Sequence, residues 1–278
     1  MCALVFARIR CRDAAGRGEW AVSNTTLMEL FDLTGRTAIV TGGTRGIGLA
    51  IAKGLVAAGA NVAVASRKAE ACEQAAALLN SSSTGNAIGV PTHMGDLGAI
   101  DALVNSAVGE FGGVDIVINN AANALAQPIG QITPAAWAKS FAVNQQGPVF
   151  LVQSALPHLQ RSEHAAVLNI VSAGAFIFSP TTSMYAAAKA SMVSFTRSMA
   201  AEFAAEGIRV NALAPGAVDT DMVRGNPPEF AAALARRALL NRIATADEIV
   251  APALLLVSDA GSFITGQTLL VDGGMVAR

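Results

Sequence analysis

A five-residue run with strand propensity, Thr37–Thr41, passes directly into Gly42-Gly43-Thr44-Arg45-Gly46-Ile47-Gly48, and residues 47–58 then carry helical spacing. That order of strand, glycine turn and helix start leaves few folds open. Gly42 permits the tight turn, Gly46 lets the backbone approach a bound phosphate closely, and Gly48 lets the helix pack against the strand. The helix N-terminus adds free N–H groups and the positive end of a dipole. The segment therefore reads as a cradle for the pyrophosphate of a dinucleotide rather than as a plain tight turn.

The rest of the chain repeats the alternation. Runs with strand character at 61–65, 114–119, 166–171, 208–213 and Thr268–Val271, with a weaker one at Ala87–Pro91, are separated by helical segments such as 69–79. Strands that alternate with helices pair in parallel, through right-handed crossovers that put helices on both faces. The expected fold class is α/β, a single-domain Rossmann fold built on a doubly wound, seven-stranded parallel sheet. No Pro/Ser/Gly linker or internal repeat divides residues 28–278, so cofactor and substrate sites are expected in one domain. Residues 1–27 differ, with four arginines against two acids and no apolar core of signal-peptide length, and Met28 stands just before the first domain-like segment. They are expected to be a disordered or mis-assigned extension.

Composition removes other classes. With 53% apolar residues in 278, a well-packed core is expected, and a net charge of −1 argues against a nucleic-acid partner. No run of 18 uncharged apolar residues occurs, so no membrane partner is expected. Cys2, Cys11 and Cys72 form no C-x-x-C pair and are odd in number, which suits a reducing, cytoplasmic location. His93, His158 and His164 lack the spacing of zinc ligands, and no metal site is assigned.

The end of the second strand sorts the cofactors. An acid there would hold the ribose 2′-hydroxyl of NAD and repel a 2′-phosphate. Here Ser66 takes that place, followed by Arg67 and Lys68. With Arg45 in the turn, Arg67 can clamp the phosphate through charge-assisted bonds. NADP(H) is expected over NAD(H), because cations are not what the positive end of a helix prefers on its own account.

Further along, Met184-Tyr185-Ala186-Ala187-Ala188-Lys189 sets the only tyrosine four residues before a lysine, so both emerge on one helix face. A free phenol has a pKa of about 10, and a neighbouring ammonium is expected to lower it. Ser172 lies thirteen residues upstream, after the apolar run Val167-Leu168-Asn169-Ile170-Val171, where parallel sheets present ligands.

Together with Asn119-Asn120-Ala121-Ala122, Asn144, Pro215-Gly216, Ile264-Thr265-Gly266-Gln267-Thr268 and Val271-Asp272-Gly273-Gly274, these motifs resemble the short-chain dehydrogenase/reductase family, and the resemblance runs from Leu33 to Gly274. It implies hydride transfer between NADP(H) and the carbonyl or alcohol carbon of a small substrate. Tyr185 would be the general acid, Lys189 would hold the nicotinamide ribose and depress the tyrosine pKa, and Ser172 would hydrogen-bond the substrate oxygen. Asn144 would hold a water linking Lys189 to solvent. The resemblance implies cofactor contacts from Gly42, Thr44, Arg45, Gly46, Ile47, Gly48, Ser66, Arg67, Lys68, His93, Met94, Asn120, Ala121, Ala122, Tyr185, Lys189, Pro215, Gly216, Val218 and Thr220. It also implies a homotetramer or homodimer through helices at 137–159 and 184–206.

The chain departs from that family at several points. Ala122 replaces a common glycine, and His93 stands where an aspartate often faces adenine, with Asp96 as a substitute shifted by three. Glu163 and Glu206 stand where reductases acting on acyl carrier protein commonly carry basic residues, although Arg161 and Arg197 are near. Pocket walls are expected from Asn123, Leu125 and Gln127, and from Ala173-Gly174-Ala175-Phe176-Ile177-Phe178, whose alternative role is core packing. Residues 216–237, with Gly225-Asn226-Pro227-Pro228, are expected to be a mobile-loop lid. Two competing functions are a 3-oxoacyl-(acyl-carrier-protein) or 3-oxoacyl-CoA reductase, and a non-catalytic NADP(H)-binding regulator.

Overall fold

The computed structural model describes residues 26–81 and 85–276. Thr26 caps a single turn, α1 (Leu27–Leu30), through a capping box with Glu29. The boundary expected after residue 27 falls inside that turn. The rest of the proposed extension, with Cys2 and Cys11, lies outside the described residues.

Seven strands follow: β1 (Thr37–Thr41), β2 (Asn61–Ser66), β3 (Ala87–Pro91), β4 (Ile116–Asn119), β5 (Ala166–Ile170), β6 (Arg209–Pro215) and β7 (Thr268–Val271). They form one parallel sheet in the order β3-β2-β1-β4-β5-β6-β7. Every residue of β1, β4 and β5 is buried. Helices cover both faces, so the alternation of a half-exposed strand gives way to continuous apolar runs.

The two faces separate by residue parity. Ala38, Val40, Val62, Val64 and Leu168 pack with Ile51 and Leu55 of α2 (Gly46–Ala57), Leu79 of α3 (Ala69–Asn80) and Leu256 of α10 (Val250–Val257). Ile39, Ala63, Val117 and Val167 face the other way, onto Leu103 of α4 (Leu97–Phe111), Leu151 and Leu159 of α6 (Gly147–Leu159) and Met199 of α7 (Ser183–Glu202). Each large side chain buried in this way stabilises the fold by about 1.5–3 kcal/mol.

Strand order reverses between β1 and β4, and crossovers leaving in opposite directions open a crevice at the carboxyl ends there. At the amino end of the sheet, Arg36 Nη2 lies 2.9 Å from Asp259 Oδ2 and His164 Nδ1 lies 3.2 Å from Asp259 Oδ1. Arg209 donates there to the carbonyls of Leu256, Ser258 and Ile264.

Three segments differ from the sequence pattern. The helix expected over 137–159 is two, α5 (Pro134–Phe141) and α6, joined through a π-helical turn at Ala142–Gln146. The one expected over 184–206 ends as α7 at Glu202, and a 3-10 turn at Ala204–Glu206 closes on Gly207 with φ 74°. Residues 216–237 are not simply a loop, since they hold α8 (Asp221–Arg224) and α9 (Pro228–Ala235). Pro228 presets the first turn of α9, while Asp221 and Arg224 match the two ends of the α8 dipole. No described helix is long and apolar enough to cross a membrane.

Candidate active site

The turn after β1 has the conformation that its glycines allow. Gly42 and Gly46 sit at φ +65° and +54°, and a Cβ on Gly48 would strike the Gly42 carbonyl and the Asn120 amide. Asn120 Nδ2 donates to the carbonyls of Thr41 (2.8 Å) and Gly42 (3.2 Å), while Thr41 Oγ1 accepts from the backbone N–H groups of Asn120 and Ala121. Asn120, expected as a cofactor contact, uses its side chain to tie the turn to β4. The N-terminus of α2 has no side-chain cap and no acid in its first turn, so its N–H groups suit an anion. These features fit the pyrophosphate of a nicotinamide dinucleotide. Thr44 and Ile47 are half-buried on the same turn.

The adenosine side is more varied. Ser66 ends β2, and Arg67 and Lys68 are exposed with no carboxylate partner among the described residues. Arg45, expected as a phosphate clamp, is instead ion-paired with Asp221 at 3.3 Å on the surface. Such an exposed pair is worth about 0–1 kcal/mol and can be exchanged for a stronger partner. His93 is exposed after β3 and accepts the Gly95 N–H at 3.1 Å, whereas the Met94 side chain is buried in the core. Asp96, the substitute weighed for that place, has a local role. It caps α4, accepting from Ala99 N–H at 3.1 Å. Ala121 and Ala122 are half-buried beyond β4. Pro215 ends β6 and the Gly216 N–H donates to the Val271 carbonyl. Val218 is a core residue, and Thr220 places its methyl where a Cβ on Gly46 would meet it.

The reactive side chains gather at the carboxyl end of β5. Ser172 caps a 3-10 turn at Ala173–Ala175, its Oγ accepting from the Gly174 N–H at 3.1 Å. Lys189 is buried, donates to the Ile170 carbonyl at 2.7 Å, and holds Nζ 5.7 Å from the centre of the Tyr185 ring. Burial pushes the Tyr185 phenol above its ordinary pKa, with the Ser172 hydroxyl pulling the other way. Burial also lowers Lys189 to about 8. The net direction is thus opposite to the lowering expected from Lys189. Its ammonium lies over the ring and is bound to a carbonyl, and desolvation of the phenolate dominates.

Asn144 is fully buried in the π-helical turn. Its Nδ2 donates to Asn123 O (2.8 Å), Asn123 Oδ1 (3.2 Å) and Ser140 Oγ (3.2 Å), and its Oδ1 accepts from the Asn123 N–H (2.9 Å). All these bonds go to the segment after β4 and to α5, and none goes to Lys189. Sequence reasoning missed the roles of Asn123 and Ser140. It also missed a buried chain in which Asn119 Nδ2 donates to Asn169 Oδ1 and Asn169 Nδ2 to Thr196 Oγ1, tying α7 to the sheet. Those partners lie 50 and 27 residues apart, and no local pattern announces them.

Around the opening, Leu125 is half-buried and the Gln127 N–H donates to the carbonyl of Thr181, which sits at φ 65°. Phe176 and Phe178 are 40% and 80% exposed, so they edge the site rather than fill the core. Glu163 and Glu206 are both exposed, with Glu206 accepting from Gln160 Nε2 at 3.0 Å. Arg197 is exposed, and Arg161 contacts His158 Nδ1 at 2.7 Å.

Known proteins are similar to this chain in sequence and fold. A family model described as enoyl-(acyl carrier protein) reductase matches residues 42–276. The cis-4-hydroxycyclohexanecarboxylate dehydrogenase of Sinomonas cyclohexanicum is 36% identical over 243 residues, covering 87% of this chain and 97% of the relative. A 3-oxoacyl-(acyl-carrier-protein) reductase of Chlamydia trachomatis is 36% identical over 259 residues, covering 87% and 98%. A Beutenbergia cavernae crystal structure, described as an NAD(P) dependent gluconate 5-dehydrogenase with NADP bound at low occupancy, aligns with a TM-score of 0.82 at 33% identity, covering 90% of this chain and all of the other. The chain belongs to the short-chain dehydrogenase/reductase family, oxidoreductases that act on alcohol and carbonyl groups with NAD(P).

Proposed function

We propose that this protein is an NADP(H)-dependent oxidoreductase that interconverts a carbonyl and a secondary alcohol on a small, largely apolar substrate. The observation that carries this reading is the gathering of Ser172, Tyr185 and Lys189 at the carboxyl end of β5, on the side of the sheet where the glycine turn opens. When bound, the nicotinamide supplies or accepts the hydride. Tyr185, a phenol that is protonated at neutral pH and that burial shifts further in that direction, gives its proton to the substrate oxygen during reduction, and its phenolate takes one back during oxidation. Ser172 donates a hydrogen bond to that oxygen as negative charge builds on it. Lys189 brings a positive charge beside the phenol at pH values below about 8.

Preference for NADP(H) is supported by Ser66 in place of an acid and by Arg67 and Lys68 after it, which have no carboxylate partner among the described residues. A relative that holds NADP supports it too. Exposed Phe176, Phe178, Met222 and Phe230 in the two segments expected to edge the pocket support an apolar substrate body. Relatives named for 4-hydroxycyclohexanecarboxylate and gluconate support an alcohol that also carries a carboxylate. The relative named as an acyl-carrier reductase favours a second reading, a 3-oxoacyl thioester reductase. Exposed Glu163 and Glu206 oppose the acidic partner that reading needs.

The test is NADPH and NADH oxidation with a panel of ketones, quinones and 3-oxoacyl thioesters, run on the natural chain and on Tyr185→Phe. The natural chain is expected to use NADPH with higher kcat/KM and to prefer free ketones. The variant is expected to lose about 100-fold or more in kcat while retaining NADPH affinity. Tighter binding of NADH, or full activity in Tyr185→Phe, would overturn the reading.

A further inference from the structure

The two segments expected to wall the pocket share a cation that the scheme above leaves unused. Phe178 lies six residues after Ser172 and seven before Tyr185, and the guanidinium of Arg237 sits over its ring at 5.7 Å. Among the described residues Arg237 has no carboxylate partner, although it is half-buried. Arg236 beside it also has none among the described residues, whereas the other arginines of this region do. Arg45 is paired with Asp221, Arg224 with Asp219 and Asp221, and Arg242 with Glu248.

Arg237 is also well held. Its N–H bonds the Leu234 carbonyl, the following Ala238 is buried, and the Leu240 N–H bonds the Gly273 carbonyl beyond β7. A cation over an aromatic face fixes ring and guanidinium relative to each other, while the in-plane N–H fork stays open to a carboxylate. Exposed Phe176, Met222 and Phe230 lie on the segments that carry these two residues, beside the exposed charges of Arg224, Glu229 and Arg236, and among these cations Arg237 is the one set over an aromatic ring.

We infer that Arg237 is a specificity-determining residue, which binds the carboxylate of a small substrate whose apolar body lies against Phe178 while its carbonyl or alcohol reaches Ser172 and Tyr185. This rests on the oxidoreductase reading of the same site. The dipole of α9 alone does not account for the arrangement. Arg236 ends that helix equally well and remains exposed, whereas Arg237 is turned onto the ring.

Two measurements test it. In calorimetric titration of the NADP-loaded protein, cyclohexanecarboxylate is expected to bind about 10- to 100-fold more tightly than neutral cyclohexanecarboxamide. Arg237→Gln should erase that difference, Arg237→Lys should keep part of it, and Arg236→Gln should leave it intact. In NADPH oxidation, Arg237→Gln should raise KM for 4-oxocyclohexanecarboxylate by a similar factor with kcat held, and should leave its methyl ester unaffected. Equal binding of acid and amide by the natural chain, or a preference that survives Arg237→Gln, overturns the inference. Turnover of both ketones without preference for the acid sinks it while sparing the oxidoreductase reading. Discrimination in binding with no ketone, quinone or thioester reduced would do the reverse.

Discussion

Tyr185 and Lys189 share a helix face because four residues separate them, but what each does is set by burial. Lys189 has a folded-state pKa of about 8, below its ordinary 10.5. Its unfolded form therefore binds more protons between those values, and stability rises as pH rises through that window. Below about pH 8 the chain bears the full penalty of burying the ammonium. Lys189→Met is accordingly expected to leave the melting temperature at pH 7 unchanged or raised, while kcat/KM falls by about 100-fold or more. Thermal denaturation and steady-state assays read the two effects, and any stability gain should shrink above pH 8. A spacing rule located this pair. The lowering of the phenol that the spacing suggested runs opposite to the direction that burial imposes.

At the scale of elements, the break between α5 and α6 matters most. Periodicity over 137–159 suggests one helix, yet a π-helical turn widens it where the Asn144 side chain must reach Asn123 and Ser140. Asn144→Ala would leave the half-buried Asn123 backbone groups without these partners, at a cost of about 1–2 kcal/mol. A lower melting temperature and reduced kcat are expected, and Asn123→Ala, which keeps the backbone bonds, should lose less. Residues 216–237 show the same limit. Their Gly-Asn-Pro-Pro punctuation correctly marks a break in structure, but the short helices on either side depend on local end effects too brief for a periodic signal.

Across the whole molecule, the amino end of the sheet is held by charge. Burial pushes the Asp259 carboxyl up, but the bond and charge of Arg36 together with His164 outweigh it and leave the group below its ordinary 3.8. A depressed carboxylate stabilises the fold above its unfolded pKa and loses that contribution as pH falls through the folded value. Asp259→Asn should cost about 3 kcal/mol near neutral pH, with the gap to the natural chain narrowing below about pH 4 in denaturant titrations. For the assembly, a homotetramer, or the dimer that is its half, remains our proposal. Phe263, Leu270 and Leu97 are large apolar side chains left exposed in the single chain. Sedimentation velocity at micromolar concentration is expected to show the tetramer, and a monomer would refute it.

The sequence by itself determined the parallel sheet, the glycine cradle and the Tyr185–Lys189 pair, because each is written in spacings of a few residues along the chain. Periods of two and 3.6 place side chains on faces before any tertiary contact forms. Only the tertiary structure decided that Asn144 binds Asn123, that Arg45 pairs with Asp221 and that Arg237 lies over Phe178. Those contacts join residues 21 to 176 positions apart, and the shifts at Tyr185 and Lys189 follow from desolvation. Both depend on how the whole chain packs, which no local pattern encodes.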